Sequence, residues 1–489
     1  MSDSMELELK LEFAPDDRQL LEAILPPAAH APATRRLVST YFDTPEHDLR
    51  RAGYSLRVRR DGRRRIQTLK ADGAGFAGLF ARPEWERRIA GNVPLLDGDC
   101  APDAALLGAA TLARIGPVFV TEVRRTSWMI DYAGAEIEVA LDDGEVRAGD
   151  RSERLCELEL ELYAGAPQAL FDLARALNDS VPLRLGVRSK ADRGYACVDG
   201  IPAERAIAAP LALDPEGDAG DAFRVIAAAG IRQFRLNEAL LLATGAVEPL
   251  HRARVGLRRL RSAFSLFRPL LADDPRAAPL RAELRWLAAK LGDVRNLDVL
   301  IARCAGAGRD ELVAARAGAF EQARVALASV RCRRLMIDLA AWLELGDWRV
   351  APAHPARLHA ALVPFARVLL EARRRRLKRH GRGLARLGSR RRHRVRIEVK
   401  TLRYATEFFT VLYPDGKAHR RHRAFLAALD RLQDLLGELN DLAVGAALLA
   451  RLGSDMTLPK SGRHRRRRLL DRAEDACDAL LRAKRYWRS

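Results

Sequence analysis

Met5-Glu6-Leu7-Glu8-Leu9-Lys10-Leu11 alternates strictly between apolar and charged side chains. A β-strand points successive side chains to opposite faces, so Glu6, Glu8 and Lys10 share one face and Met5, Leu7, Leu9 and Leu11 the other. A single solvated strand can look like this. A set of such strands is a different matter, and the first two hundred residues contain a set.

Arg57-Val58-Arg59 alternates, and Gln67-Thr68-Leu69-Lys70 puts Thr68 and Lys70 together. Arg82-Pro83-Glu84-Trp85-Glu86 aligns Arg82, Glu84 and Glu86, while Glu136-Ile137-Glu138-Val139-Ala140-Leu141-Asp142 leads into Asp142-Asp143-Gly144, a predicted turn. Glu157-Leu158-Glu159-Leu160-Glu161-Leu162 is the most regular of all. Same-face neighbours lie roughly 7 Å apart, so three carboxylates in a row repel unless cations stand among them. Lys, Arg or a divalent metal can supply that charge. A solvated sheet face usually mixes in Ser, Thr, Asn and Gln, but these faces are almost wholly Arg, Lys, Glu and Asp. The composition predicts a closed barrel with a charged lumen and an apolar exterior clad by helices. Such a lumen suits a small polyanion with its metal, since basic groups take phosphate oxygens and carboxylates take the ion.

Residues 1–200 resemble a CYTH domain, the triphosphate tunnel metalloenzyme family. The resemblance rests on Glu6-x-Glu8-x-Lys10, Tyr41-Phe42-Asp43-Thr44-Pro45, Leu56-Arg57-Val58-Arg59, Lys70 and Arg82-x-Glu84-x-Glu86. It continues through Arg125, three residues before Trp128, then Ile137-Glu138-Val139-Ala140-Leu141-Asp142, Glu157-x-Glu159-x-Glu161 and Ser189-Lys190, all in family order. It implies an antiparallel eight-stranded β-barrel tunnel with flanking helices. The activities it implies are inorganic, thiamine or RNA triphosphatase, or class IV adenylate cyclase. The Glu84-Trp85 pair, the Leu141-Asp142-Asp143-Gly144-Glu145-Val146 run and Cys156 to Glu161 are similar to bacterial inorganic triphosphatases, and no His-Phe-Arg signature of the cyclase group is present.

On that resemblance Lys10, Arg57, Arg59, Lys70, Arg82, Arg125 and Lys190 would bind triphosphate oxygens. Glu6, Glu8, Asp142, Glu157, Glu159 and Glu161 would hold Mg2+, or Mn2+ in its place, directly or through water. Glu6, Glu8, Lys10, Lys70 and Glu159 would form the catalytic set, with Glu84, Glu86 and Glu138 as further lumen groups. Either a second metal or a carboxylate such as Glu159 would activate the attacking water. No cysteine or histidine pattern suits zinc.

Residues 201–219, with Pro202, Pro210, Pro215 and Gly217, read as a linker. From there the text turns to Leu, Ala and Arg at helical spacing. It also repeats. His251, Arg254, Arg258 and Arg261 fall at the same offsets (0, 3, 7 and 10) as His393, Arg396, Lys400 and Arg403, one narrow helical stripe in each copy. Some forty residues on, Leu291-Gly292-Asp293-Val294-Arg295-Asn296-Leu297-Asp298 pairs with Leu436-Gly437-Glu438-Leu439-Asn440-Asp441. The duplication predicts two pseudo-symmetric bundles. Residues 220–489 resemble a CHAD domain, an all-α domain of two related four-helix bundles associated with inorganic polyphosphate. The resemblance implies that the eight stripe residues line a basic groove that binds polyphosphate; His251 and His393 could equally be helix-packing residues.

The chain has 84 Lys+Arg against 64 Asp+Glu, net +20, a balance that favours extended polyanions with salt-sensitive affinity. Nucleic acid is the weaker reading, because aromatic side chains for base stacking make up only 6% of the chain. Six scattered cysteines suggest free thiols, and the absence of a long apolar run predicts no membrane span and a cytoplasmic chain. The expectation is therefore a multidomain α+β enzyme: a metal-dependent triphosphatase tethered to a module that binds polyphosphate or targets it to polyphosphate granules. The alternative is a polyphosphate-binding protein with little or no turnover.

Overall fold

The computed structural model describes residues 5–27, 31–71, 78–97, 108–200, 211–303, 309–414, 416–451 and 463–488. The strands are β1 (Met5–Glu12), β2 (Ala33–Asp43), β3 (Tyr54–Asp61), β4 (Arg64–Ala71), β5 (Leu79–Arg88), β6 (Gly116–Tyr132), β7 (Ala135–Ala148), β8 (Arg151–Ala164) and the short β9 (Arg184–Leu185). The longer helices used below are α1 (Gln168–Ser180), α2 (Lys190–Val198), α3 (Ala219–Thr244), α4 (Val247–Leu266), α5 (Ala277–Ile301), α6 (Val330–Leu345), α7 (Leu362–Gly381), α8 (Ser389–Phe408), α9 (Gly416–Arg451) and α10 (Arg463–Arg482).

The described chain divides into two compact units. The first comprises Met1–Ile207 with Arg235–Leu240 and Ala328–Leu345; the second comprises Ala208–Phe234, Leu241–Leu327 and Gly346–Ser489. In the first, antiparallel strands pair in the order β5-β4-β3-β2-β6-β7-β8-β1, and β1 returns to β5, so eight strands close into a barrel. β1 shares one edge between two partners: Met5 to Leu9 pair with β5, and Leu11 and Glu12 with β9.

The period-2 pattern sorts the side chains as the charges require. Leu9, Leu11, Leu158 and Leu160 are fully buried on the outside, where α1 lies on β1 and β8 and α6 packs on α1. Each such leucine adds about 2 kcal/mol of burial. The opposite faces of the same strands line the bore. Towards one end the inward residues become apolar: Leu37, Tyr41, Phe119, Val123, Val146 and Leu155 pack around α2, whose Tyr195 and Cys197 share that cluster. Helix α2 therefore plugs that part of the bore. Its start is fixed by a reciprocal cap, with Ser189 Oγ accepting from Asp192 N–H and the Asp192 carboxylate from Ser189 N–H.

Gly194 on α2 presses against Phe119, where an added Cβ would enter the ring's van der Waals shell. Gly194→Ala should cost about 1–3 kcal/mol of overpacking and lower the thermal midpoint by several degrees. An unchanged midpoint in calorimetry would contradict this placement of the plug.

Asp142-Asp143-Gly144 is not a turn. β7 runs straight through it, and the chain reverses at Gly149, which has φ of +60°. Gly144 serves close approach instead, since a Cβ there would collide with the Glu122 carbonyl on β6.

In the second unit, α4 packs on α5 and α8; α8 packs on α7 and α9; α9 packs on α10. The two helices that carry the repeated basic stripe, α4 and α8, are therefore neighbours. Residues 201–210 of the sequence-predicted linker lie outside the described residues, and α3 begins at Ala219 with Asp218 as its cap (Asp221 N–H to Oδ1, 2.8 Å). Among the described residues no helix is long and apolar enough to cross a membrane. Cys156, Cys197, Cys332 and Cys477 are free thiols, while Cys100 and Cys304 lie outside the described residues.

Candidate active site

The bore holds a cavity of about 1330 Å³. Glu8, Lys10, Arg57, Arg59, Lys70, Arg125, Glu159, Glu161 and Lys190 all line it, together with the further lumen groups Glu84, Glu86 and Glu138. The side chains of Glu6 and Arg82 lie outside the described residues. Asp142 and Glu157 do not reach the cavity; they are buried beneath its floor.

Register builds the acidic wall. Glu8 on β1 faces Glu161 on β8, which faces Glu138 on β7, giving three carboxylates in one cross-strand row. One row down, Lys10 faces Glu159, and below that Glu12 faces Glu157, which faces Asp142. The floor is a closed ion-pair network. Lys10 Nζ contacts Glu8 at 2.7 Å and also Glu159. Lys190, from the first turn of α2, contacts Glu159 at 2.6 Å, Asp142 at 2.8 Å and Glu157 at 3.2 Å. Arg125 holds Asp142 with two bonds of 2.6 and 2.7 Å and also reaches Glu159.

These neighbours dominate the titration. Burial works against the charged form of Glu159, but Lys10, Lys190 and Arg125 outweigh it and hold the carboxyl well below the usual range. Asp142 is likewise lowered to about 2 by Arg125 and Lys190 despite its burial. The Lys10 ammonium is raised in turn, because Glu159 and Glu8 overcome its desolvation.

The opposite wall is cationic. Arg57 and Arg59 project from β3, and across β2 lies Arg125 on β6. Lys70 pairs with Glu84 at 2.6 Å, and Glu86 accepts from Thr68 Oγ1 at 2.8 Å. Among the described residues Arg59 makes no ion pair and its Nε is buried without a partner, and burial together with Arg57 and Arg125 pushes it down to about 10. A guanidinium strained in this way gains charge neutralisation from any anion that enters the bore.

No three His, Cys, Asp or Glu side chains among the described residues are gathered as an ion-binding cluster. The Glu8–Glu161–Glu138 row nonetheless has hard oxygen donors on three adjacent strands, and like charges facing one another across a ladder call for a cation. Arg193 escaped the sequence reading. It rises from α2 to Glu157 (3.0 Å), Glu12 and Glu153, and the signal that could have found it was the Ser189-x-x-Asp192 cap that starts its helix.

In the second unit the two stripes meet through part of their length. Burial first, then Arg396, Arg258 and Arg254, push the Lys400 ammonium down to about 7, which places all four in one field. Arg254, Arg258 and Arg396 each bury an Nε without a partner, and Gly292 leaves room for the Arg254 guanidinium. His251 is half-buried, with its pKa lowered by burial, Arg295 and Arg258. The other stripe members diverge. His393 is exposed, Arg261 is exposed beside Arg285 and Arg281, and Arg403 is occupied by Asp430 and Glu407.

Residues 4–195 match the CYTH domain and residues 225–450 the CHAD domain. The inorganic triphosphatase of Haemophilus influenzae is 34% identical over 164 residues, which is 32% of this chain. That match spans 45% of the relative's own length. The crystal structure of the CHAD domain from Ricinus communis covers 57% of this chain and 96% of its own at 31% identity, with a TM-score of 0.47. A Hippeastrum protein, described as an adenylyl cyclase with a dominant triphosphatase activity, covers 40% of this chain and 96% of its own at 19% identity, with a TM-score of 0.32. From its two matches in sequence order, the chain is a member of the CYTH domain family over residues 4–195 and of the CHAD domain family over residues 225–450.

Proposed function

We propose that the barrel hydrolyses inorganic triphosphate to diphosphate and phosphate with the help of a divalent metal, and that the basic cluster of the helical unit binds polyphosphate. The observation that carries the first reading is the half-buried Arg59, whose Nε is buried with no partner among the described residues, lining a bore whose far wall is acidic. The triphosphatase relative supports the same reaction class.

Phosphoryl transfer is mainly positioning and charge neutralisation. Arg57, Arg59, Arg125 and Lys70 would take the substrate oxygens, and Lys10 and Lys190 would meet them from the floor. Glu8 and Glu161, with Glu138 beside them, would hold Mg2+ or Mn2+, which when bound offsets phosphate charge and acidifies a coordinated water. Asp142 and Glu157 act one layer back, by fixing Arg125 and Lys190. Glu159 at rest is a poor proton acceptor, because three cations hold it ionised. A triphosphate that draws Lys10, Lys190 and Arg125 onto its own oxygens leaves Glu159 free to accept a proton from the attacking water.

Phosphate release with Mg2+ should be fastest with triphosphate and slower with thiamine triphosphate and ATP. Preference for either of the latter would reassign the substrate, and no release from any of them would favour a binding protein.

The cluster around Lys400 makes polyphosphate binding pH-dependent. With its pKa lowered to about 7, Lys400 is charged below that pH and neutral between 7 and its ordinary 10.5. A bound polyanion favours the ammonium, so binding above pH 7 takes up a proton and affinity falls as pH rises from 6 to 8.5. Calorimetry in buffers of different ionisation enthalpy should register that uptake, and its absence would remove Lys400 from the site. The proposed location is the cytoplasm, a reading that the free thiols Cys156, Cys197, Cys332 and Cys477 fit, with polyphosphate granules as the place where both activities meet.

A further inference from the structure

A buried charge chain leads away from the cavity floor. Glu157, which accepts from Lys190, also pairs with Arg193 Nε at 3.0 Å. Arg193 pairs with Glu12, and Glu12 meets Arg235 Nη2 at 3.4 Å. Arg235 also pairs with Glu238, which takes Arg184 at 2.7 Å. Arg235 and Glu238 come from α3, far along the chain, yet the segment Arg235–Leu240 belongs to the first compact unit. Both side chains are almost fully buried (3% and 2% exposed). Arg235 Nε further donates to the Leu185 carbonyl at 2.9 Å; the next residue, Gly186, donates its N–H to the Lys10 carbonyl at 2.8 Å.

Burying such a pair is expensive, and an apolar pair of similar volume is often as stable or more so. Stability alone therefore does not account for Arg235 and Glu238. What the pair does supply is position, because it braces the floor at two points: β9 beside Lys10, and Glu12 with Arg193 beside Glu157. Resting on the triphosphatase reading, we infer that Arg235 and Glu238 are positioning residues for the tunnel reaction, which keep Lys10 and the plug residue Lys190 aimed at the substrate.

The test is the full-length double variant R235M/E238L, with E238Q as a second variant that keeps the shape of the site. The double variant should fold with a thermal midpoint equal to or above that of the wild type, while kcat on triphosphate falls by about tenfold or more with KM within about twofold, as expected when groups are misaimed rather than removed. E238Q should show the same split in smaller measure. A purely structural pair would move the midpoint and spare kcat. Wild-type kcat in either folded variant overturns the inference while the triphosphatase reading stands. A wild-type chain without turnover overturns that reading and the inference with it.

Discussion

Glu8→Gln should reduce phosphate release from triphosphate by about a thousandfold, the range seen when one preorganised charge is removed from a transition state. Glu8 is almost fully buried, contacts Lys10 at 2.7 Å and stands opposite Glu161, so it serves both the cation network and the carboxylate row. Glutamine keeps its shape and loses its charge. The fold should survive, because the substitution also relieves repulsion between Glu8 and Glu161. Lys70→Ala attacks the opposite wall and should be comparably damaging, because it removes a cation from the cavity lining and leaves Glu84 with less positive charge beside it where phosphate must enter. Steady-state assays and thermal unfolding of both variants decide the matter: normal turnover in either removes that residue from the site, and normal turnover in both removes the tunnel.

Replacing Arg254, Arg258, Arg396 and Lys400 together by alanine should strongly weaken polyphosphate binding and leave triphosphate turnover intact. Lys400, pushed down to about 7 by burial first and then by its three cationic neighbours, shows that these charges are both desolvated and crowded. Removing them therefore removes a strain, and the thermal midpoint should hold or rise. Affinity for long-chain polyphosphate should fall at least a hundredfold at roughly 0.1 M salt. The slope of log affinity against log salt should flatten by roughly 3, at about 0.7 per phosphate contact. Retained affinity with an unchanged slope would place the polyanion elsewhere on the basic surface.

The barrel was legible because period-2 alternation reports directly which face a side chain takes, and every strand that alternated charge with Leu, Ile or Val contributes to the bore. Strand alternation carries no depth, however. Asp142 and Glu157 lie on the inward face like Glu159 and Glu161, yet only the ladder register shows them sinking under the floor onto Arg125, Lys190 and Arg193. Gly144 misled because glycine after Asp-Asp signals a turn, whereas here it admits a neighbouring backbone. The helical stripe was legible to a similar extent. Offsets 3 and 7 converge across α4 and α8, but Arg403 is held by Asp430 from α9, a partner that no local pattern reveals. The assignment of Ala328–Leu345 to the first unit was equally invisible, because its helical spacing gives no address.

A crystal soaked with triphosphate and Mg2+ at low turnover, for instance in the Glu8→Gln variant, tests the central claim most directly. Phosphate density inside the barrel, within hydrogen-bond distance of Arg57, Arg59 and Arg125, is the expected result. An empty bore with phosphate bound only on the outer surface would contradict it.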